Sequence, residues 1–278
     1  MFLLFYLAVF IIGCFIGSFL NVIVDRLPRS EGVITGRSHC ESCTRKLPWH
    51  DLIPLLSFFF LGGKCRYCKA RLSLYYPVIE GATGLLFSLT VFLIWQEWVP
   101  LSDTMHLYFL TTAYYLCIDA LLILVFFTDL KYGIIPFRIV FWALGLTIFW
   151  YGFLTLFQHT LPVNFPVWIQ ESLVNYFLSA VGVFLFFLGL FFITRGKGLG
   201  FGDVVYVILM GLLLGFPKVI LGLYIAFLSG ALLALLLVLL QKKKFHGGTI
   251  PFGPFLVLGT IVSLYWGNTI IEKVVALL

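Results

Sequence analysis

Residues 1–24 carry no charged side chain, and seven further apolar runs follow at about 78–95, 107–128, 137–157, 172–194, 204–216, 219–240 and 251–271. An α-helix rises 1.5 Å per residue, so about 20 apolar residues cross a bilayer core of about 30 Å. In hydrocarbon every backbone N–H and C=O must be satisfied within the protein, which leaves such runs little choice but helix. The predicted fold is an all-α polytopic membrane protein of about eight transmembrane helices. Composition agrees, since a chain that is 62% hydrophobic and 11% charged cannot clothe a soluble surface. The first run lacks a basic start and a small-residue cleavage site, so it reads as a retained helix rather than a signal peptide.

Residues 25–76 are of a different material. They hold Arg26, Arg29, Arg37, Arg45, Lys46, Lys64, Arg66, Lys69 and Arg71, several prolines and four of the six cysteines. The expected organisation is a first transmembrane helix at 1–24, a small cytosolic zinc-knuckle domain at 25–76, and a membrane domain at 77–278. Alternating the runs from a cytosolic 25–76 puts all 18 Lys and Arg except Lys218 and Lys273 on the cytosolic side. That distribution follows the positive-inside rule and sets the expected orientation of a multi-pass chain in contact with lipid. The net charge of +6 is thus a mark of topology. Without a basic stripe interleaved with aromatics, it does not point to nucleic acid.

Cys40-x-x-Cys43 and Cys65-x-x-Cys68 are separated by 21 residues. Two such knuckles can wrap one tetrahedral zinc through four thiolates, and a domain too small for a large core gains most from a metal. Two disulfides or a redox dithiol are the alternatives, and a reducing cytosol disfavours the first. His39 and His50 are expected at the surface, not as ligands. Cys14 and Cys117 lie inside apolar runs and read as small core residues.

Asp129 and Asp203 each stand at the mouth of an apolar run. A carboxylate at membrane depth costs several kcal/mol (about 2.5–3.5 on insertion scales) and is by default a functional residue. Two carboxylates sharing one proton are the chemistry of aspartyl proteolysis: one takes a proton from water, the other polarises the scissile carbonyl. The bland alternative is that Asp129 caps a helix and pairs with Lys131, while Asp203 N-caps the sixth helix, at 204–216. The 204–216 run is short, about 20 Å as a helix, so Asp203 is expected below the membrane surface, beside water or packed protein. A re-entrant hairpin over 204–240 is the other reading. Asp119 lies ten residues before Asp129, about 15 Å along the helix, too far to form a dyad with it. Asp119 and Glu80 are auxiliary candidates.

Several segments, in this order, resemble the bacterial type IV prepilin leader peptidases, membrane aspartyl proteases of the GxGD type. They are Gly17-Ser18-Phe19-Leu20-Asn21-Val22, Arg26-Leu27-Pro28, the two CxxC pairs around Asp51-Leu52-Ile53-Pro54, Tyr76-Pro77-Val78-Ile79-Glu80, Asp129 with Ile135-Pro136, Gly200-Phe201-Gly202-Asp203-Val204, and Ile250-Pro251-Phe252-Gly253-Pro254-Phe255. The resemblance implies cleavage of the basic leader of a type IV prepilin or secretion pseudopilin after a glycine. It also implies N-methylation of the new terminus from S-adenosylmethionine. It makes Asp129 and Asp203 the catalytic pair and Cys40, Cys43, Cys65 and Cys68 the zinc ligands. Phe137 stands where the family usually has Asp or Asn, and Val205 where it usually has Lys; Arg138 and Lys197 are candidates for the missing charge. No soluble-type glycine-rich nucleotide loop marks a methyl-donor site, for which 25–76 is the natural place.

Other functions fit parts of the chain. An ion-coupled transporter would use Asp119 and Asp129 as proton relays, but no internal repeat of the apolar runs supports it. An assembly subunit docking partners through a zinc domain leaves Asp203 without a role. A membrane thiol oxidoreductase requires redox-active cysteines.

Overall fold

The computed structural model describes residues 2–29, 31–32, 36, 38–96, 105–157, 172–196, 198–240 and 251–277. Arg37, Lys197 and Ile250, invoked above, lie outside them, as do Lys242 to Lys244, which count among the basic residues expected on the cytosolic side. The elements are α1 (Phe2–Arg26), a 3-10 turn (Trp49–Leu52), α2 (Leu56–Phe60), α3 (Tyr75–Gln96), α4 (Met105–Tyr132), α5 (Phe137–Phe157), α6 (Leu173–Ile193), α7 (Phe201–Leu214), α8 (Lys218–Leu239) and α9 (Gly253–Leu277). Among the described residues, α1, α3, α4, α5, α6, α8 and α9 are long and apolar enough to cross a membrane, and α7 is a shorter apolar helix. The eight expected runs are thus eight helices. α4 continues past the predicted end at 128 to Tyr132, which brings Asp129 onto the helix.

The chain forms two compact units, Met1–Leu124 and Val125–Leu278, with the division inside α4. In the first unit α1 packs along α3 through small residues. A Cβ at Gly13 would stand 2.7 Å from the Gly84 Cα, so the two backbones touch where a side chain would hold them apart. Lipid is as apolar as the helix surface, so such close packing, with a few polar ties, is what joins membrane helices. Asn21 Nδ2 donates to the Tyr76 carbonyl at 3.2 Å, and Ser88 Oγ donates to the Tyr6 carbonyl at 3.3 Å. Asp119 is fully buried and accepts the Thr90 hydroxyl, so it joins α4 to α3. Glu80 is buried one and a half turns into α3, where its Oε2 accepts the Leu55 N–H at 2.8 Å. Each of these acids has a polar partner, as a buried carboxyl requires. Cys14 is buried, but Cys117 is exposed on α4 and is not the core residue expected, because an apolar helix surface in lipid does not need to be covered.

The second unit is organised on α7. Its residues from Asp203 to Leu214 are buried apart from Ile208, on every side of the helix. A helix apolar all round belongs at the centre of a bundle. Tyr151 on α5 donates its hydroxyl to the Leu212 carbonyl at 2.7 Å, and Tyr206 shares a 2.9 Å hydrogen bond with Thr260 on α9. Asn175 on α6 receives the Phe216 N–H and donates to the Phe216 carbonyl, closing the far end of α7.

Candidate active site and metal centre

Asp129 sits near the C-terminal end of α4. The helix stops because Gly133 adopts a positive φ of 65° and returns its N–H to the Asp129 carbonyl at 2.8 Å. A glycine in the left-handed region just past the last turn is the usual helix stop. Ile134, Ile135 and Pro136 then lead into α5. Ile135 is buried, and a Cβ at Gly202 would stand 3.0 Å from the Ile135 Cβ. The segment that follows Asp129 therefore rests on the glycine that precedes Asp203, which accounts for Ile135 and for the second glycine of Gly200-Phe201-Gly202-Asp203.

Asp203 lies in the first turn of α7. Its Oδ2 accepts the Gly200 N–H at 3.1 Å, the reciprocal half of a capping box. Asp129 meets a different helix start: its Oδ2 accepts the Gly253 N–H of α9 at 2.9 Å, across 124 residues of sequence. Both carboxylates are buried, with 5% of Asp129 and 7% of Asp203 exposed. Each is thus placed where helix-terminal N–H groups and the helix dipole favour an anion while burial opposes one. The two are close enough for the charge of Asp129 to act on Asp203. Asp203 does cap its own helix, as the bland alternative had it, whereas the Asp129 carboxylate caps the start of α9 and not its own helix. Lys131 lies over the Tyr132 ring, 5.4 Å from its centroid.

Gly253 is the residue whose part was not legible beforehand. It appeared only as one letter of a motif, yet a Cβ there would fall 2.6 Å from Asp129 Oδ2. Only glycine lets α9 present its first N–H so near the carboxylate. The one sequence signal was the run Pro251-Phe252-Gly253-Pro254, a helix start of the kind that leaves N–H groups unpaired. Thr128 beside Asp129 is fully buried, and its hydroxyl has no hydrogen-bond partner among the described residues. Of the two unusual residues, Phe137 sets its ring edge-on to Phe201 at 6.1 Å, and Val205 is buried in α7. Arg138 is exposed.

The four paired cysteines are free thiols, and their sulfurs lie within 4.8 Å of one another. The two knuckles are built alike. Cys40 N–H binds the Arg45 carbonyl and Cys65 N–H binds the Ala70 carbonyl; Thr44 and Lys69, each four residues on, have positive φ and return their N–H groups to Cys40 and Cys65. The Cys40 and Cys68 sulfurs are 3.8 Å apart. Four thiolates at a metal–sulfur distance of about 2.3 Å on a tetrahedron have edges of about 3.8 Å, so the cradle fits zinc in size and in ligand softness. The Cys68 and Tyr67 backbone N–H groups hold the Cys65 thiol down to about 6, whereas at Cys43 the Arg45 backbone is outweighed by desolvation and the other sulfurs, which push that thiol up to about 11. His39 and His50 are exposed and outside the cluster. The Arg66 guanidinium grips Asp51 through two nitrogens, Nε at 2.9 Å and Nη2 at 2.6 Å from Oδ1, and holds that carboxyl below its usual range.

Two family models match the chain. The family model of the Bacterial Peptidase A24 N-terminal domain matches residues 11–95, which contain the cysteine cluster. That of the Type IV leader peptidase family matches residues 115–235, which contain both aspartates. A "Prepilin leader peptidase/N-methyltransferase" of Bacillus subtilis is 32% identical over 95% of this chain and 95% of its own length. A protein of the same name from Pseudomonas aeruginosa is 28% identical over 96% of this chain and 92% of its own. One from Myxococcus xanthus is 43% identical over 30% of this chain and 25% of its own. No solved structure matches the chain. The chain belongs to the Type IV leader peptidase family.

Proposed function

We propose that the protein is an aspartic endopeptidase that removes the leader of type IV prepilins or secretion pseudopilins, with Asp129 and Asp203 as its catalytic pair. The observation that carries this reading is the pairing itself: two buried carboxylates in electrostatic reach, each tethered through one oxygen to a glycine N–H. The tethers leave the Oδ1 atoms for chemistry. One carboxylate is ionised and takes a proton from the attacking water; the other, protonated, donates to the scissile carbonyl. A shared proton follows from placing like charges together at low dielectric. The protein lies in the bacterial cytoplasmic membrane with the cysteine module, residues 25–76, and the catalytic face in the cytosol, where a leader peptide resides. The positive-inside distribution supports that orientation. Family membership leaves the transporter reading without support.

Zinc bound by Cys40, Cys43, Cys65 and Cys68 acts as a structural ion that ties the two knuckles, since four protein ligands leave no open position for catalysis. The relatives' names support a second activity, methylation of the new N-terminus from S-adenosylmethionine. The described residues contain no strand–loop–helix cradle, so the donor's site has no assigned residues. The deciding experiment is mass spectrometry of a prepilin's N-terminus after incubation with the purified protein and S-adenosylmethionine, beside Asp129→Asn and Asp203→Asn. Loss of the leader with wild type and with neither variant supports the dyad; cleavage by either variant at the wild-type rate removes that residue from the mechanism. An added methyl group reports the second activity.

A further inference from the structure

Within the basic module runs a stretch that does not suit water. Residues 52–63, Leu-Ile-Pro-Leu-Leu-Ser-Phe-Phe-Phe-Leu-Gly-Gly, carry no charge. An apolar segment of about 10–14 residues is too short to span and is characteristic of a buried core or of an interfacial segment. The structure decides between these. Phe59 is 73% exposed and Phe60 85%, with Leu56 also exposed and Trp49, before the 3-10 turn, 76% exposed. The stretch is therefore not the module's core. Four large exposed apolar groups so close together form a patch that asks for a partner.

The position of the patch names the partner. α2 does not begin out beyond the membrane helices. Leu55, immediately before it, is held by the buried Glu80, whose carboxylate accepts its N–H at 2.8 Å, and the Leu55 side chain reaches Gly81. Glu80 is five residues into α3, about 7.5 Å along the helix from Tyr75. Leu55 adopts φ +60, ψ −53, a conformation a branched residue rarely takes, and the Glu80 bond helps hold it there. α1 and α3, which flank the module, are both long and apolar enough to span. Where α3 enters a bilayer, its first turns stand at headgroup depth.

Charge points the same way. Directly after α2, Lys64 and Arg71 face each other across an isolated antiparallel bridge, and Lys69 stands between them in sequence. Like charges directly opposite repel. Among the described residues none of the three forms an ion pair, because Asp51 is held by Arg66 and Glu41 lies against Arg29. A cationic cluster beside exposed aromatic and aliphatic groups is the chemistry that binds an anionic headgroup while apolar side chains enter the acyl boundary.

We infer that α2 and the turn before it form a membrane foot: Trp49, Leu56, Phe59 and Phe60 enter the bilayer interface, and Lys64, Lys69 and Arg71 engage anionic lipid phosphates. The foot fixes the cysteine module against the bilayer independently of the peptidase reading.

The test places a nitroxide on p-acetylphenylalanine at position 60 of the full chain in lipid nanodiscs, so that no cysteine chemistry disturbs the knuckles. Position 41 serves as the aqueous control and position 92, on the exposed side of α3, as the lipid control. Collisions with oxygen and with a soluble nickel chelate are compared. The label at 60 is expected to show an oxygen-to-nickel ratio several-fold above that at 41 and close to that at 92. Replacing part of the phosphatidylcholine by phosphatidylglycerol raises the ratio at 60, and Lys64→Gln with Arg71→Gln abolishes that rise. A ratio at 60 equal to that at 41 places the foot in water and overturns the inference. Shielding from both reagents means that protein covers the patch, from this chain or a second copy, and overturns it equally. Indifference to phosphatidylglycerol, or a rise that survives the double substitution, overturns the headgroup contact.

Discussion

In the cysteine module four sulfurs lie within 4.8 Å of one another on loops with almost no core, whereas Asp129 and Asp203 sit at helix ends packed against the buried α7. Both regions gather groups that repel one another when ionised. The module does so with local turns: each knuckle closes on itself within six residues, and a metal held between them would supply the attraction. The carboxylate site meets the same problem with backbone N–H groups. It uses two helix starts, one local to Asp203 and one from the far end of the chain for Asp129. A small loop domain can be held by ligand chemistry, while a bundle interior can aim backbone dipoles, and the second solution needs the whole unit to be folded.

The comparison breaks most visibly at the carboxylates. Asp129→Asn and Asp203→Asn keep the size and the accepting oxygen, so both variants are expected to fold. Each loses a group that must carry or release a proton, and leader cleavage measured by mass spectrometry falls by about a thousandfold or more. A smaller loss would mean that the residue acts only through position.

Metal removal is the matching stroke on the other side. Cys65→Ser or chelation is expected to unfold the knuckles, seen as faster amide exchange over 38–72, with the α7 amides unchanged. A cluster of this kind owes its fold to the bound ion. If α7 exchanges faster as well, the two regions are coupled more tightly than their separate packing suggests.

The two tethers can be told apart by single methyl groups. Gly253→Ala brings a Cβ within 2.6 Å of Asp129 Oδ2, while Gly200→Ala brings one only to 3.3 Å of Asp203 Oδ2, at a position whose φ of −72 suits alanine. Misplacing a reacting group by about 1 Å can cost about a hundredfold. Gly253→Ala should therefore cut cleavage by roughly that factor with helical content intact, and Gly200→Ala by much less. Equal effects would show that the local tether matters as much as the distant one.

Glu80→Ala leaves the Leu55 N–H without its acceptor and is expected to destabilise the first unit by about 1–3 kcal/mol, read from thermal unfolding in nanodiscs. Glu80→Gln retains an oxygen and should lose less. The smallest expected effect is on stability at Thr128→Val, where an unpaired buried hydroxyl is replaced at equal shape. Unchanged stability with reduced cleavage would place that hydroxyl at the reacting groups.

Much of this protein could be read without coordinates, because lipid leaves a chain few options. Long uncharged runs must be helices, and the distribution of Lys and Arg yields an expected orientation for them. The knuckles were legible for a similar reason: ligand spacing is local, and His39 and His50 stayed outside as expected. Asp129 and Asp203 stood out because a carboxylate is costly at that depth. What the sequence could not determine is which distant groups meet. Gly253 donating to Asp129, Ile135 resting on Gly202, and Glu80 holding Leu55 are contacts between segments whose separation no periodicity encodes. The bundle decides them, since each depends on two helices approaching at one depth and angle, set by packing along their entire length.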